Sequence, residues 1–358
     1  MRPGVLDRVR GRLRERGLDG FVHFQTSRAR ENVVLHYLSG VMRLEDSGIL
    51  VPVDSDPVLF VKDFEGERAA RMGRIGDTRA LATVPLDSAM RGVGEILREK
   101  GLEGRRLGID DSELSVEVFL ELQKLGLELV PFGSEIREMM TIKAPEEVAS
   151  IRRAVGLASA ALGRVRELAA SGMSEHELAA EASLVMERGG GEKSFVHVQY
   201  DRNASFPHHD SDGTRVEGDG LLVVDLGARV DGYTSDLTRT FAVGSPKGER
   251  VKIMEAARDA LEAAIEAVRP GAAVADVAKA ARDVLRSRGL PGPKHRIGHG
   301  VGLGVHERPI VEEGFPGRLA EGMVLAIEPG VYIPGVTGCR LESNVLVTAD
   351  GHEALDEL

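Results

Sequence analysis

Short apolar runs alternate with helical patterns in the first third of the chain. Leu6, Val9 and Leu13 recur at helical spacing and Gly17 ends that pattern, while a second helical stretch spans residues 116–125. The apolar runs that predict strands are residues 20–24, 48–53, 58–61, 107–109 and 127–130. Strands alternating with helices predict a small mixed α/β domain, which we place at residues 1–137.

A long amphipathic helix is predicted after Pro145. Apolar residues recur every three or four positions over residues 148–168, which is the pattern of a buried helical stripe. Pro145 followed by Glu146 and Glu147 is typical of a first helical turn. Backbone N–H groups in that turn have no partner within the helix, so the missing N–H of Pro costs nothing, and the positive end of the helix dipole stabilises acidic side chains. This helix opens the second domain, which we place at residues 138–358.

The second domain contains a weak internal repeat. The helical segment that follows Gly172 resembles the segment that follows Gly271, at an offset of 99 residues. After each helix and a loop, a Gly and an apolar run lead to an acid, Asp225 in the first half and Glu328 in the second. Two similar halves that each deliver carboxylates from strands predict a site between them.

Residues 221–241 predict a β-hairpin that carries two acids. Four apolar residues lead to Asp225, a Gly-containing turn is expected at residues 227–232, and the chain returns past Asp236. Asp is unfavourable in strands, so two acids that can meet across a hairpin require a reason. A bound cation is one reason, and ordinary turn or edge acids are the alternative.

Three later segments add ligand-type side chains. His299 lies in a Gly-rich run, Glu328 ends an apolar run, and Glu342 directly precedes another. With the two Asp residues they form an oxygen-rich set with a single nitrogen, which suits Mn, Co or Zn. Four carboxylates carry too much negative charge for one divalent ion, so two ions with shared carboxylates are expected.

Composition narrows the class of protein. The chain has 57 acidic and 46 basic residues, a formal net charge of −11, which argues against a non-specific nucleic-acid binder. Cys339 is its single cysteine, so an internal disulfide is excluded and a reducing compartment is the natural setting. No signal peptide is visible at the N-terminus, and no run approaches the ~20 apolar residues of a membrane helix. We expect a cytoplasmic protein with no membrane or nucleic-acid partner.

The order of the acid- and His-bearing segments resembles the proline-specific metallopeptidases of the pita-bread fold, Xaa-Pro dipeptidase (prolidase) and aminopeptidase P. The resemblance is carried by DLGARVDGYTSDLTRTF, HRIGHGVGLGVHE, AIEPGVY and RLESNVLVT, and covers roughly residues 141–348. It implies an α/β (α+β) chain: a small N-terminal creatinase-type domain and a C-terminal pita-bread (creatinase/aminopeptidase-like) catalytic domain with pseudo-twofold halves. The ligands that it implies for two divalent ions per subunit are Asp225, Asp236, His299, Glu328 and Glu342. Asp236 and Glu342 are the implied bridging pair.

The resemblance also implies the reaction. Small peptides with proline at the second position are expected to be cleaved ahead of the proline by a water that both ions activate. Glu328 is implied to relay the proton, and His208 and His306 to contact the substrate or its tetrahedral intermediate. Residues implied to shape the pocket or to support the ligands are His295, Tyr332 and Arg340. The implied assembly is a homodimer in which the first domain of one chain borders the active site of the other.

Two departures from the family pattern bear on substrate range. His209 stands where a Gly is usual, and Ser343 where an Asp is usual. Xaa-Pro dipeptidase is the favoured interpretation, and aminopeptidase P acting on longer peptides is the alternative. A non-catalytic binding protein on the same scaffold would be expected to lose ligand residues, whereas all five are present here.

Overall fold

The structure, a computed structural model, describes residues 4–26, 32–82, 86–170 and 172–357. The α-helices in these ranges are α1 (Val5–Glu15), α2 (Val33–Ser39), α3 (Gly66–Met72), α4 (Leu86–Glu99), α5 (Val116–Lys124), α6 (Gly133–Thr141), α7 (Pro145–Leu168), α8 (Glu175–Arg188), α9 (Glu249–Glu266) and α10 (Val274–Ser287). The strands are β1 (Gly20–Gln25), β2 (Ser47–Pro52), β3 (Val58–Lys62), β4 (Asp77–Leu81), β5 (Arg106–Ile109), β6 (Glu128–Pro131), β7 (Glu192–Tyr200), β8 (Gly220–Val230), β9 (Tyr233–Thr234), β10 (Leu237–Val243), β11 (Gly298–Gly300), β12 (Glu307–Val311), β13 (Val324–Ile327), β14 (Gly330–Ile333), β15 (Thr337–Arg340), β16 (Ser343–Val347) and β17 (His352–Ala354).

The chain folds as two compact units, Met1–Met140 and Thr141–Leu358. Residue 137, the end of the first domain expected from the sequence, lies inside α6, which runs on to Thr141. None of the helices in the described ranges is long and apolar enough to cross a membrane.

The first unit is a mixed α/β domain, as predicted. Its six strands form one sheet in the order β4-β3-β2-β1-β5-β6, in which β1 pairs antiparallel with β2 and parallel with β5. Buried apolar side chains of α4 and α5 pack with those of the sheet. The apolar pattern did not predict β4, because this strand lies at the sheet edge and its residues are only partly buried.

The second unit consists of two halves of similar construction. In the first half, α7 and α8 pack against a sheet in the order β10-β8-β7, with β9 also paired to β8. In the second half, α9 and α10 pack against the sheet β12-β11-β13-β16-β17 and the β14-β15 hairpin. Each half buries the apolar faces of its helices on its own strands, which is why the sequence repeat follows helix and strand together.

Equivalent contacts at the start of α8 and α10 bear out the repeat. Gly172 and Gly271 both have positive φ, 73° and 81°, and each lies three residues before the first residue of its helix. The carbonyl of Gly172 accepts a hydrogen bond from Arg215 at 2.8 Å, and that of Gly271 accepts one from Arg318 at 2.7 Å. The pseudo-twofold relation therefore extends to individual side-chain contacts.

The turn expected at residues 227–232 is shorter in the structure. β8 continues through Asp225 to Val230, and the chain reverses at Asp231 and Gly232. Gly227 lies within the strand, where a Cβ would come within 2.5 Å of the Phe195 ring and of a backbone oxygen. That glycine permits close packing on the sheet face rather than a turn, so the sequence-based placement of the turn was wrong.

Candidate active site

Strands of the first half position the two Asp residues. Asp225 lies on β8 directly opposite Thr238 of β10, and Asp236 lies in the short break between β9 and β10. The side chain of Asn344 accepts from the Asp236 N–H at 3.1 Å and donates to the Asp236 carbonyl at 2.8 Å. A residue of the second half thus fixes the backbone of an acid of the first.

Strand ends of the second half supply the other three residues. His299 lies on β11, Glu328 follows β13 directly, and Glu342 directly precedes β16. The N–H of Glu328 donates to Ile297 at 2.7 Å, and that of Glu342 donates to the Thr238 carbonyl at 3.0 Å. The strand β10 of the first half and the residue before β16 of the second half are therefore hydrogen-bonded at this point.

All five predicted ligand side chains converge and are buried. Relative exposure is 6% for Asp225, 4% for Asp236, 1% for His299, 8% for Glu328 and 2% for Glu342. His299 Nε2 lies 3.4 Å from Asp236 Oδ2 and 3.6 Å from Glu328 Oε1. One carboxylate oxygen from each of Asp225, Asp236 and Glu342 lies within 4.8 Å of the others, a spacing that a shared cation can occupy.

Arg340 and Thr238 tie this cluster together. The fully buried Arg340 donates to Asp225 Oδ2 at 2.5 Å, to the Thr238 hydroxyl at 3.1 Å and to the Tyr332 hydroxyl at 2.9 Å. The Thr238 hydroxyl lies 2.6 Å from Glu342 Oε2 and 3.2 Å from Asp225 Oδ1. The predicted supporting residues Arg340 and Tyr332 thus contact the cluster or one another.

Two of the predicted pocket histidines, His306 and His295, lie beside the cluster. The His306 ring lies edge-on to that of His299 with centroids 4.5 Å apart, and its ligand atom falls within 4.8 Å of those of His299 and Asp236. His295 bonds to the Tyr332 hydroxyl at 2.9 Å and lies 3.7 Å from Glu328 Oε2. His306 is therefore as close to Asp236 as a second ligand of one ion would be, which the sequence did not indicate.

Burial and mutual repulsion perturb the acids. Burial, then the charges of Glu342, Asp225 and Glu328, raise the pKa of Asp236 well above its usual value. Burial and neighbouring carboxylates also raise the pKa of Glu342, and burial raises the pKa of Glu328 to about 7. The carboxylates are held closer together than their own charges favour.

Burial has the opposite effect on the histidines. It lowers the pKa of His299 to about 3, with His306 as the next cause, and that of His295 to about 4. It also lowers the pKa of His208, where the charge of Arg340 adds to the effect. The rings are therefore neutral near pH 7, which is the form in which imidazole binds a metal.

The donor set fits a cationic group. Four buried carboxyl groups face one buried guanidinium, so when ionised they would carry more negative charge than Arg340 balances in a low-dielectric site. Oxygen donors with one or two neutral imidazoles are the donors that divalent first-row metals accept. A structural role alone does not account for such an excess.

Sequence reasoning missed residues that contact the candidate ligands. Thr238 and Asn344 were not identified, nor was Arg239, which donates to the Glu342 carbonyl at 2.6 Å. Ser343, a departure from the family pattern, is buried and donates to Asp356 Oδ1 at 2.9 Å. Asp356 also accepts from Arg239 at 2.6 Å, so a carboxylate from the C-terminal segment reaches the position next to Ser343.

Comparisons with known proteins agree with this geometry. Residues 149–349 match the model of metallopeptidase family M24, and residues 6–140 match the creatinase/prolidase N-terminal domain. The chain belongs to metallopeptidase family M24. The Xaa-Pro dipeptidase of Pyrococcus horikoshii is 33% identical over 331 residues, 91% of this chain and 90% of that relative.

Solved structures share the whole fold of this metallopeptidase. The Pyrococcus horikoshii prolidase has a TM-score of 0.88 at 29% identity, covering 99% of this chain and 98% of its own. The X-Pro aminopeptidase of Thermotoga maritima has a TM-score of 0.89 over 99% and 97% of the two chains. At 24% identity the second comparison bears on the fold alone. Both confirm the predicted small N-terminal domain and pita-bread catalytic domain.

Proposed function

We propose that this metallopeptidase hydrolyses Xaa-Pro dipeptides at the bond ahead of proline. The observation that carries the proposal is the convergence of four buried carboxylates and His299 from both halves of the second unit. The relatives named Xaa-Pro dipeptidase, 31–33% identical over most of this chain, support the substrate class.

The proposed cofactor is a pair of divalent ions, Mn, Co or Zn. Asp225, Asp236, His299, Glu328 and Glu342 would hold them. Asp236 belongs both to the group with Asp225 and Glu342 and to the group with His299 and His306, which supports a bridging role for it. Glu342 is the proposed second bridge. Bound there, the ions would lower the pKa of a water molecule and polarise the scissile carbonyl.

Glu328 is the proposed proton relay. Its two oxygens lie 3.6 Å from His299 and 3.7 Å from His295, between the ligand cluster and the histidine that faces Tyr332. The proline nitrogen carries no hydrogen in the substrate, so it must receive a proton to leave. Glu328 would take that proton from the attacking water and deliver it.

His208 and His306 are proposed to donate hydrogen bonds to the substrate. Both lie near the cluster, and Asp225 acts on the pKa of each after burial and nearby positive charges. Arg296 adds a positive charge that acts on His299, His306 and Glu328. A cation beside the site suits the free carboxylate of a dipeptide, which a longer peptide lacks at that position.

A kinetic comparison of two substrates tests the proposal. The enzyme, loaded with Mn, Co or Zn, is assayed on Ala-Pro and on a longer peptide that begins Ala-Pro. We expect a higher kcat/KM on the dipeptide. Preference for the longer peptide would show aminopeptidase P activity instead, and cleavage of neither by metal-loaded protein would show a binding protein.

We further propose a cytoplasmic homodimer in which the first unit of one chain borders the active site of the other. The proposal rests on the family resemblance and on the placement of every candidate site residue in the second unit. Sedimentation of the active enzyme tests the assembly, and a fully active monomer would refute it.

A further inference from the structure

Gln199 lies on the same face of its sheet as Asp225. β7 pairs antiparallel with β8, with His197 opposite Asp225 and Gln199 opposite Val223. Paired residues share a face and successive residues alternate, so Gln199 faces the side of the carboxylates. Its neighbour Val198 belongs instead to the apolar core shared with α7 and α8. Gln199 is completely buried.

The amide of Gln199 spans the backbone on both sides of His208. Its Nε2 donates to the His209 carbonyl at 2.9 Å and lies 3.5 Å from the Pro207 carbonyl. Arg340 donates to the same Pro207 carbonyl at 3.0 Å. The carbonyls one residue before and one residue after His208 are thereby tied to β7, and the first of them also to the arginine that contacts Asp225.

The other end of the amide is left without a partner. Gln199 Oε1 is buried and, within the part of the chain that the structure describes, accepts no hydrogen bond. An unpaired buried acceptor lowers stability. The side chain therefore destabilises the fold through its oxygen while bracing the His208 loop through its nitrogen, and these two effects can be separated by experiment.

We propose that Gln199 is a positioning residue that holds His208 in the orientation in which it meets the substrate. Gln199 contacts the carbonyls of Pro207 and His209, so it restrains the backbone from which the His208 side chain extends. A small displacement of a positioned group is enough to lower the rate strongly. The inference rests on the proposed role of His208.

Replacement of Gln199 tests the proposal. Gln199→Leu removes the donor and the unpaired acceptor together, so kcat/KM on Ala-Pro should fall about 10- to 100-fold. Metal content should be retained, and the thermal midpoint should equal or exceed that of the wild type. Gln199→Glu places an oxygen in place of the donor that faces two carbonyls, so it should lower kcat/KM in the same way. It keeps the proposal testable if Gln199→Leu fails to fold. The matched control is Val198→Ala, which should lower the midpoint and leave kcat/KM unchanged.

A double mutant decides whether Gln199 acts through His208. In the His208→Ala background, Gln199→Leu should change kcat/KM by less than about twofold. An equal loss in both backgrounds would overturn the proposal.

A second readout does not depend on activity. In metal-free protein, Gln199→Leu should shift or broaden the His208 ring signal in proton NMR and leave that of His352, which contacts Val268, unchanged. If His208→Ala proves fully active, the proposed role of His208 fails, and the NMR result alone judges Gln199. An unaltered His208 signal would then refute the positioning role.

Discussion

Two clusters of buried charge, one in each unit, differ in whether their charges balance. In the first unit, fully buried Asp110 accepts hydrogen bonds from Arg137 at 2.6 and 3.0 Å, one to each carboxylate oxygen, beside the equally buried His23. In the second unit, four buried carboxylates share the charge of Arg340.

The difference separates a structural cluster from a functional one. A carboxylate that accepts bidentate hydrogen bonds from a guanidinium is already neutralised, so it needs no further charged partner in a low-dielectric interior. The second cluster raises the pKa of its own acids through burial and repulsion, so a bound cation would release free energy there. Charge imbalance, more than burial, distinguishes the candidate active site of this chain.

Asp236→Asn tests the carboxylate-rich cluster of the second unit most directly. Loss of a bridging ligand should abolish activity and lower the metal content, measured by elemental analysis. The metal-free variant should melt at or above the temperature of the metal-free wild type, because one of several repelling carboxylates is gone. Glu342→Gln should behave alike. Full activity of either variant at low metal content would rule out the dinuclear site.

In the first unit, replacing the carboxylate of the Asp110–Arg137 pair should instead lower stability. Asp110→Asn leaves the charge of Arg137 without its bidentate partner, and we expect about 3 kcal/mol loss in the free energy of unfolding. Specific activity of the folded, metal-loaded enzyme should not change. Asp54→Asn is the matched control, because its pair with Arg14 is exposed and worth about 0–1 kcal/mol. A stabilised Asp110→Asn variant would contradict the distinction between the clusters.

Substitutions of His208 and His306 test which residues around the carboxylates act on the substrate and which bind metal. His208→Ala and His306→Ala should each lower kcat about 10²- to 10³-fold through loss of a hydrogen-bond donor, with metal content near wild type. His299→Ala, the control, should lose metal. Since His306 lies within ligand distance of Asp236, metal loss in His306→Ala would reassign it as a ligand. Wild-type kcat in both His208→Ala and His306→Ala would show that these histidines are structural.

Much of this site could be predicted because three of the five proposed ligands adjoin an apolar run. Asp225, Glu328 and Glu342 lie within or next to buried strands, so a pattern of apolar runs ended by acids locates them. The two halves could also be predicted, because Gly172 and Gly271 have positive φ just before equivalent helices and so recur in the sequence.

The supporting contacts could not be predicted, because they join distant segments. Asn344 contacts Asp236 across 108 positions, and Arg239 contacts Asp356 across 117. Periodicity describes which face of an element is buried, and not which residue of another element it meets. The misplaced turn has the same origin: Gly227 packs against Phe195, a neighbour that hydrophobic pattern does not reveal.

The last prediction concerns His23, the titratable neighbour of Asp110 and Arg137, whose effect appears only below neutral pH. Asn32 donates to its Nε2, so the ring proton lies on Nδ1, 3.9 Å from Asp110 Oδ2. Burial lowers the pKa of His23 from 6.5 to about 4; among the nearby charges, Asp110 opposes the shift and Arg137 adds to it.

The sign of the pH dependence follows from that shift. Above pH 6.5 the ring is neutral in both states and its contribution is complete. Between pH 6.5 and about 4 the unfolded chain takes up the proton first, so stability falls by up to about 3 kcal/mol and then levels off. Hydrogen exchange of β1, corrected for intrinsic rates, should show this loss in the wild type. His23→Gln, which can still accept from Asn32, should show a flatter profile. Identical profiles would mean that His23 does not carry the acid sensitivity of the first unit.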